Sequence, residues 1–244
     1  MTADTRPNLQ VSLSDPDLKR RYVRRLFSTI ADRYDLITRA LSYGRDAAWK
    51  RRLVSLSGAR PGVRALDLAC GTGDIAFALQ RRGCRVVGVD VTVRMIEIAR
   101  RKATKSVPSV TFLVGDMMAL PFADGAVDLV TIGYGMRNVP QIQPAIDEIR
   151  RVLRPGGAVL ALDFDRPDRA LLRSIYLAYL TVVGSVLGWI LHGDPDTYRY
   201  IPESIKRYPG SAGVARLFEA AGFVECAVVP LVGGLMAINT ARRA

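Results

Sequence analysis

The chain is poor in the residues that bind metals or form disulfides. Its 244 residues include a single histidine, His192, and three cysteines far apart at Cys70, Cys84 and Cys226. No Cys-x-x-Cys pair occurs. This composition argues against a structural zinc site and a disulfide framework, because both need clustered ligands or paired thiols. We therefore expect a cytoplasmic protein whose reaction uses no metal.

Acidic residues are also scarce, so the chain is strongly basic. There are 35 Lys and Arg against 23 Asp and Glu, a net charge of +12. Residues 1–60 hold 13 Lys and Arg against 6 Asp and Glu, so +7 of this charge lies in the first quarter. Such a field suits nucleic acid and an anionic membrane surface equally well. The N-terminal MTADTRPNLQ has no apolar core, and we do not expect it to be a signal peptide.

One apolar run is long enough to raise the question of a membrane span. Residues Ser174–Leu191 carry no charged side chain over 18 positions, which is the lower limit for a span. Thr181 and Ser185 interrupt the run, and Gly184 and Gly188 lower its helix propensity. We therefore expect a buried helix, or one that touches a membrane surface.

Strands and helices alternate through the middle of the chain. After amphipathic helices at about Asp17–Ile30 and Asp46–Leu56, this alternation predicts parallel strands joined by right-handed crossovers. The last two strands, joined by a PLVGG turn, predict an antiparallel hairpin. The expected fold is α/β and Rossmann-like, a mostly parallel sheet with an antiparallel C-terminal strand and helices on both faces. The predicted strands are Arg64–Leu68, Arg85–Asp90, Val110–Val114, Val127–Ile132, Ala158–Phe164, Phe223–Val229 and Gly234–Thr240. The predicted helices between and after them are Gly73–Arg82, Thr92–Lys105, Ile142–Leu153 and Gly213–Ala221.

The segment RALDLACGTGDIA joins the first strand to a helix through a glycine-rich turn. Gly71 and Gly73 let the chain turn sharply and let a ligand approach the backbone. The same residues fit the loose GxGxxG/A dinucleotide pattern, so NAD is a competing interpretation. Asp67 favours a different ligand, because its carboxylate would repel a pyrophosphate and attract a cationic amino group.

Acidic residues also end the next two strands. Asp90 ends VVGVD, where a carboxylate can accept hydrogen bonds from both hydroxyls of a ribose. Asp116, in VGDMMALPF, can accept from an adenine amine, and Met117 offers an amide and an apolar face to the ring. An amino acid joined to adenosine without phosphates matches this set, which predicts S-adenosylmethionine at the carboxyl ends of the strands. The alternative, that these acids only cap helices, suits Asp74 better. The predicted cofactor-binding residues are Asp67, Gly71, Thr72, Gly73, Asp90, Asp116, Met117 and Gly133.

Four motifs resemble those of a known family. LDLACGTGD, GDMMALPF, YGMRNV and RVLRPGGAVLALDF are similar to the class I methyltransferases that methylate a ring carbon of isoprenoid quinones, in menaquinone and ubiquinone biosynthesis. YGMRNV (Tyr134–Val139) is the most specific, and the resemblance covers about residues 20–243. It implies a class I methyltransferase sheet and methyl transfer from S-adenosylmethionine to demethylmenaquinol. A benzoquinol, a phytyl-naphthoquinol or another lipid or small-molecule acceptor stays open.

The resemblance also implies particular site residues. Arg137 follows the fourth strand, where a guanidinium can stabilise a quinolate oxygen through charge-assisted hydrogen bonds. Asn138 would orient the water that takes the proton, or the second oxygen of the ring. The alternative is that Arg137 pairs with a helix acid such as Asp147. The chain departs from the family's pattern at Ile37-Thr38, at Cys70 and at Asn239, where many members carry histidine. The predicted catalytic residues are Arg137 and Asn138, and the predicted substrate-binding residues are Tyr34, Tyr134, Tyr198 and Tyr200.

We expect one domain over residues 1–244, with an N-terminal helical cap over 17–60 and an inserted substrate lid over 168–210. The segment His192–Pro209 lacks helix or strand periodicity and predicts an aromatic surface for a quinone ring, with the isoprenoid tail along Ile175–Leu191. The expected partners are an isoprenoid quinol and, transiently, the membrane surface, which makes the protein cytoplasmic and peripherally membrane-associated. No nucleic acid is expected, because Tyr134–Pro140 lacks the Asn/Asp-Pro-Pro-aromatic run of a nucleobase pocket. A homodimer stays open.

Overall fold

The computed structural model describes residues 9–106, 110–167 and 170–244. Residues 1–8 and 107–109 of the expected domain, and residues 168–169 of the expected lid, lie outside these ranges. Seven strands form one sheet: β1 (Arg64–Leu68), β2 (Arg85–Asp90), β3 (Val110–Val114), β4 (Val127–Gly133), β5 (Leu153–Phe164), β6 (Phe223–Leu231) and β7 (Met236–Arg243).

The strand order is β3-β2-β1-β4-β5-β7-β6. β1 to β5 pair in parallel, whereas β7 runs antiparallel to both β5 and β6. This confirms the predicted mostly parallel sheet and its antiparallel C-terminal strand. Chain order reverses at β1, between β2 and β4, so the strand ends there border the crevice in which open α/β sheets bind ligands.

Ten helices surround this sheet in the described residues: α1 (Leu9–Ser14), α2 (Pro16–Ile30), α3 (Tyr34–Leu41), α4 (Asp46–Leu56), α5 (Asp74–Gln80), α6 (Val93–Ser106), α7 (Ile142–Val152), α8 (Ala170–His192), α9 (Tyr200–Arg207) and α10 (Gly210–Ala220). Both faces of the sheet are covered, as predicted. In β4, Val130 packs with Ile146 and Phe218 of α7 and α10, while the adjacent Leu129 packs in the cluster that contains Leu53 and Leu79 of α4 and α5. Alternate residues of a strand point to opposite faces, so each layer has its own core.

The N-terminal cap is more ordered than the sequence analysis predicted. Asp15 caps α2, because its Oδ1 accepts hydrogen bonds from the backbone N–H groups of Asp17 and Leu18, each at 2.9 Å. Leu9–Ser14, ahead of the first predicted helix, form α1 and bury Leu13, which the sequence analysis did not predict. The helix α3 was not predicted either.

The apolar run forms the 23-residue helix α8, and one face of it packs closely against the segment that follows. A Cβ added at Gly188 would lie 2.4 Å from the carbonyl oxygen of Asp194, and one added at Gly184 would lie 3.2 Å from Cβ of Tyr198. The glycines that lower helix propensity therefore allow this close approach. Among the described residues, Arg173–His192 is the one stretch long and apolar enough to cross a membrane, and 17% of it is buried.

The segment after α8 corrects a sequence prediction. His192–Pro209 was expected to be neither helix nor strand, but Tyr200–Arg207 forms α9, with Pro202 in its first turn, where proline is tolerated. Tyr198, Tyr200 and Tyr208 are at most 3% exposed, so they form no open aromatic surface, and stacking of a quinone ring on this segment stays a prediction. These rings pack inward against the cap and the sheet, because burial of their large apolar surface stabilises the folded protein.

Candidate active site

Asp67, the next-to-last residue of β1, lines a small polar cavity. Its Oδ1 accepts a hydrogen bond from Thr131 Oγ1 at 2.8 Å, and its Oδ2 has no partner. Burial raises the pKa of this carboxyl to about 7. A buried carboxylate oxygen without a donor is costly, so the residue suits a ligand that brings a cationic N–H group.

Asp90, at the end of β2, holds the glycine turn. Its Oδ2 accepts from the backbone N–H of Gly71 at 2.9 Å, and its Oδ1 accepts from that of Thr92 at 2.8 Å. Each oxygen keeps a further lone pair for a ligand hydroxyl. Asp90 therefore has two functions, since it positions the turn and also lines the adjacent cleft.

The turn after β3 supplies the third acid. Oδ1 of Asp116 accepts from the backbone N–H of Met118 at 2.9 Å, and its Oδ2 lies 3.6 Å from Arg20 Nη2 on α2. Met117 is buried beside it. Arg20 thus brings the cap against the far end of the cleft.

These strand ends border two connected spaces. The first, the cofactor cleft, is an open cleft of about 730 Å³. The second, the polar cavity, has about 300 Å³. The predicted residues Gly71, Asp90, Asp116, Met117 and Gly133 line the cleft, and Asp67, Gly71, Thr72 and Gly133 line the polar cavity.

Gly73 has a packing role. It lines neither space among the described residues, and a Cβ there would lie 2.8 Å from Phe112 Cζ and 2.9 Å from Phe77 Cε2. Its φ of +94° also favours glycine at the start of α5. The structure accounts for Gly73 without a ligand, and a contact with the cofactor stays a prediction.

A third space, the apolar chamber, lies under the cap and α8. It has about 600 Å³. Tyr34 and Tyr134 line the cleft, the polar cavity and the chamber alike, so their rings lie where the three spaces meet. The chamber is otherwise lined by Phe27, Ile30, Ile37, Thr38, Leu41, Ser42, Trp49, Arg137, Phe164, Tyr176, Tyr198 and Ile201.

Arg137 is the one cation of this chamber lining. Its Nη1 donates to Asp163 Oδ1 at 2.7 Å and to the carbonyl of Tyr134 at 3.0 Å. The guanidinium lies 4.5 Å from the ring centroid of Phe164, and its Nε is buried without an acceptor. Asp147, the partner considered from sequence, instead accepts from a neighbouring glutamine. The ion pair with Asp163 thus orients the guanidinium. In the described hydrogen bonds, its other N–H groups donate to no second carboxylate.

Asn138 connects the cleft to the lid. Its Nδ2 donates to the carbonyl of Tyr134 at 2.7 Å, and its Oδ1 accepts from the hydroxyl of Tyr200 at 3.0 Å. Tyr200 lines none of the three spaces described above, so it supports Asn138 from behind. Tyr198 lines the chamber, and its hydroxyl lies 2.9 Å from Nε2 of His192.

The sequence analysis missed a buried network that fixes Tyr134. The Tyr134 hydroxyl donates to Asp46 Oδ1 at 2.7 Å, and Lys50 Nζ bridges Asp46 at 2.7 Å and Asp74 at 2.9 Å. The two nearby carboxylates raise the pKa of Lys50 although burial opposes them. The signal was present in the segment Gly44–Lys50, whose spacing places an acid and a lysine on one helical face.

The cap is tied to the core by further polar contacts. Asp35 accepts from Thr72 Oγ1 at 2.7 Å and from Lys102 at 2.6 Å, and Arg94 pairs with Asp32 at 2.7 Å. Asn239, where many relatives were expected to carry histidine, is buried and donates to the carbonyl of Ser211. Its role is therefore structural.

No group of three His, Cys, Asp or Glu in residues 9–106, 110–167 and 170–244 could hold a metal ion. A reaction without metal stays a prediction. The strand order, the acids at three successive strand ends and the cleft that meets an apolar chamber define a class I, S-adenosylmethionine-dependent methyltransferase.

Sequence comparison identifies the particular family. The model of the ubiE/COQ5 methyltransferase family matches residues 16–243, and the chain belongs to this family. A demethylmenaquinone methyltransferase from Thermus thermophilus is 44% identical over 200 residues, which cover 81% of this chain and 91% of that protein. One from Staphylococcus aureus is 34% identical over 230 residues, covering 93% and 95%.

Solved structures show the same fold. A methyltransferase from Thermotoga maritima superposes with a TM-score of 0.67 at 20% identity, covering 91% of this chain and 100% of its own. One from Aquifex aeolicus gives 0.60 at 18% identity, covering 80% and 89%. Both are S-adenosylmethionine-dependent methyltransferases. The identities are low, so these likenesses confirm the fold class alone.

Proposed function

We propose that this enzyme transfers a methyl group from S-adenosylmethionine to a ring carbon of demethylmenaquinol. Relatives that carry the name demethylmenaquinone methyltransferase align over most of the chain, which supports this acceptor. The single observation that carries the proposal is the apolar chamber, which meets the cofactor cleft at Tyr34 and Tyr134 and contains one guanidinium, that of Arg137.

The cleft and the polar cavity fit the methyl donor. The unpartnered Oδ2 of Asp67 would accept from the donor's ammonium group. Asp90 would accept from the ribose hydroxyls, and Asp116 with Met117 would hold the adenine. When bound, S-adenosylmethionine supplies an electrophilic methyl group.

The chamber fits a flat aromatic ring with an isoprenoid tail. Apolar and aromatic side chains from α2, α3, α8 and the lid surround it, and burial of such a ligand's apolar surface favours binding. Thr38 and Ser42 add small polar groups. The same lining would admit a benzoquinol, and the names of the relatives favour the naphthoquinol.

Ring methylation requires the reduced quinol with one hydroxyl deprotonated, because the adjacent carbon must be electron-rich. This carbon forms the new bond to the methyl group as the bond from methyl to sulfur breaks, and the ring then loses its proton to solvent. Arg137 would donate to the quinolate oxygen, and Asp163 holds Arg137 in place. Asn138 would orient the water that accepts the first proton. The buried chamber excludes most water, which favours a step in which opposite charges disappear.

Delivery of such an acceptor requires contact with a membrane, and α8 has a suitable outer face. Leu171, Ile175, Val182, Val186 and Trp189 are each at least 50% exposed. At 100° per residue these positions lie within about 60° of one another around the helix. We place this face on the membrane surface with the protein in the cytoplasm, because the face is one-sided and the chain is basic.

Other partners follow from the same features. Nucleic acid is not proposed as a substrate, because the chamber is apolar and mostly enclosed by the cap. A homodimer formed through the exposed α8 face is the alternative to membrane contact. Vesicle binding and the size of the protein in solution distinguish the two.

The quinone pool of a deletion strain tests the function. We expect the strain to accumulate a naphthoquinone lighter by one methylene than the normal product. The wild-type gene should restore the methylated form, and the Asp90→Asn variant should not. An unchanged naphthoquinone pool with an altered benzoquinone pool would contradict the proposed acceptor.

A further inference from the structure

A fourth space lies behind Arg137 and belongs to none of the three described above. This cavity, the basic cavity, has about 310 Å³ and is lined by Leu13, Lys19, Arg137, Ile142, Ser204, Arg207 and Tyr208. Three of these side chains are cationic. They come from separate parts of the fold, since Lys19 lies on α2 of the cap, Arg207 on α9 of the lid and Arg137 on the loop after β4.

The lining of the basic cavity carries net positive charge. Asp163 balances Arg137 from one side, and no carboxylate lines the cavity in the described parts of the chain. Three cations around one small space repel each other unless an anion lies between them. Burial, and then the positive charges of Arg137 and Arg207, lower the pKa of Lys19 to about 8.

Lys19 and Arg137 each keep at least one donor that no acceptor in the described hydrogen bonds uses. Lys19 Nζ uses one N–H on the carbonyl of Val139 at 2.6 Å, which leaves two in an ammonium group. Arg137 Nε is buried and has no acceptor, and such an orphaned charged donor is costly. Arg207 is exposed, and its Nη1 donates to Oγ of Ser14 at 3.0 Å.

We propose that the basic cavity binds a small oxyanion, a phosphate group, between the cap, the lid and the loop that carries Arg137. Charge-assisted hydrogen bonds from Lys19 and the two guanidiniums would hold it. The bound anion would relieve the repulsion among the three cations and would fasten α2 over the cofactor cleft. This inference does not rest on the methyl acceptor, and its test is a binding measurement.

The phosphate group could be free or part of a lipid headgroup, and the probes separate the two sources. Isothermal titration of the full-length protein with inorganic phosphate reports the free anion. Titration with a short-chain phosphatidic acid below its micelle concentration reports the headgroup. Both are measured in a buffer without other oxyanions.

The variants are Lys19→Gln and Arg207→Gln. Matched controls are Arg24→Gln on α2 and Lys206→Gln on α9, which remove exposed cations that do not line the cavity. We expect saturable binding that falls about ten- to a hundredfold in the first pair, and is retained within about twofold in the controls. Circular dichroism verifies that each variant folds.

Inorganic phosphate binding with this pattern supports a free anion. Saturation by phosphatidic acid alone, with the same pattern, supports a headgroup. Binding of neither probe, or equal weakening in all four variants, would overturn the proposal, because a diffuse basic surface would then explain any association.

Discussion

The substitution Arg137→Lys tests whether the buried guanidinium acts in the chemical step. Lysine keeps the positive charge, but it cannot donate through a planar fork to Asp163, to the Tyr134 carbonyl and to a substrate oxygen at once. Removal of one preorganised donor of this kind typically costs a factor of about 10²–10³ in rate. We expect a loss of that size in single-turnover methylation of a reduced short-tail naphthoquinol.

Cofactor affinity is the internal control of this experiment. Neither Arg137 nor Asp163 lines the cofactor cleft, so the dissociation constant for S-adenosylmethionine should change by less than about threefold. The matched surface variant is Arg154→Lys, whose guanidinium pairs with Asp128 at the start of β4. It should leave both quantities unchanged.

Deletion of the side chain is a less clear test. Arg137→Ala leaves Asp163 buried without its cation, and breaking a buried pair costs about 3–5 kcal/mol of stability. Asp163→Asn keeps the shape but frees the guanidinium, so we expect it to lower both the melting temperature and the turnover. Near wild-type turnover in Arg137→Lys would refute the catalytic role. Loss of cofactor binding in parallel with the rate would assign Arg137 to the scaffold.

Three further predictions concern the cofactor acids and α8. Asp90→Asn should weaken S-adenosylmethionine binding more than about a hundredfold by calorimetry, because a charged acceptor is lost; affinity within a few-fold of wild type would contradict the ribose assignment. The pKa of Asp67 is raised from 3.8 to about 7, so its stabilising contribution in the free protein is complete below about pH 4 and lost as the pH rises through 7. Binding of a cationic ligand near pH 6 should then release a proton from Asp67. Calorimetric titrations in buffers of different ionisation enthalpy would detect this release, and Asp67→Asn should abolish it. Val182→Ser and Trp189→Gln should each lower binding to anionic vesicles about tenfold. The control Thr181→Ala should leave vesicle binding unchanged. Binding that resists carbonate washing would instead indicate that α8 spans the membrane.

The sheet could be predicted because its signals are local. Short, mostly apolar runs predicted β1, β2 and β3, and each of these strands has the predicted bounds. β5 was predicted from Ala158 but begins at Leu153. The intervening Arg-Pro-Gly-Gly has no strand signature, and Gly156 has a φ of +73° where the register against β4 shifts between Leu153 and Ala158.

Helices outside the sheet were harder to predict. α3 is eight residues long, and α9 is equally short and contains a proline and one tyrosine, so each depends on tertiary packing more than on propensity. The burial of Tyr198 and Tyr200 follows from how α8 and α9 pack on the cap. No local pattern contains that information.

Some residues of the candidate site could be predicted from the sequence, and others could not. Asp67, Asp90 and Asp116 were predictable because each lies within two residues of the end of a strand, and parallel strand ends meet at one edge. The partner of Arg137 was not, because Asp163 is 26 residues away and meets it only through the pairing of β4 with β5. Lys50 was missed for a similar reason, since its partner Asp74 lies on another helix.

Methylation of a reduced naphthoquinol by the purified protein tests the central claim most directly. The assay combines the enzyme, S-adenosylmethionine and an anaerobically reduced short-tail demethylmenaquinol, with mass spectrometry and carbon NMR of the product. We predict that one methyl group is gained on a ring carbon, and that the oxidised quinone is not a substrate. Methylation of an oxygen, or no reaction with the naphthoquinol in a protein that still binds S-adenosylmethionine, would contradict the account.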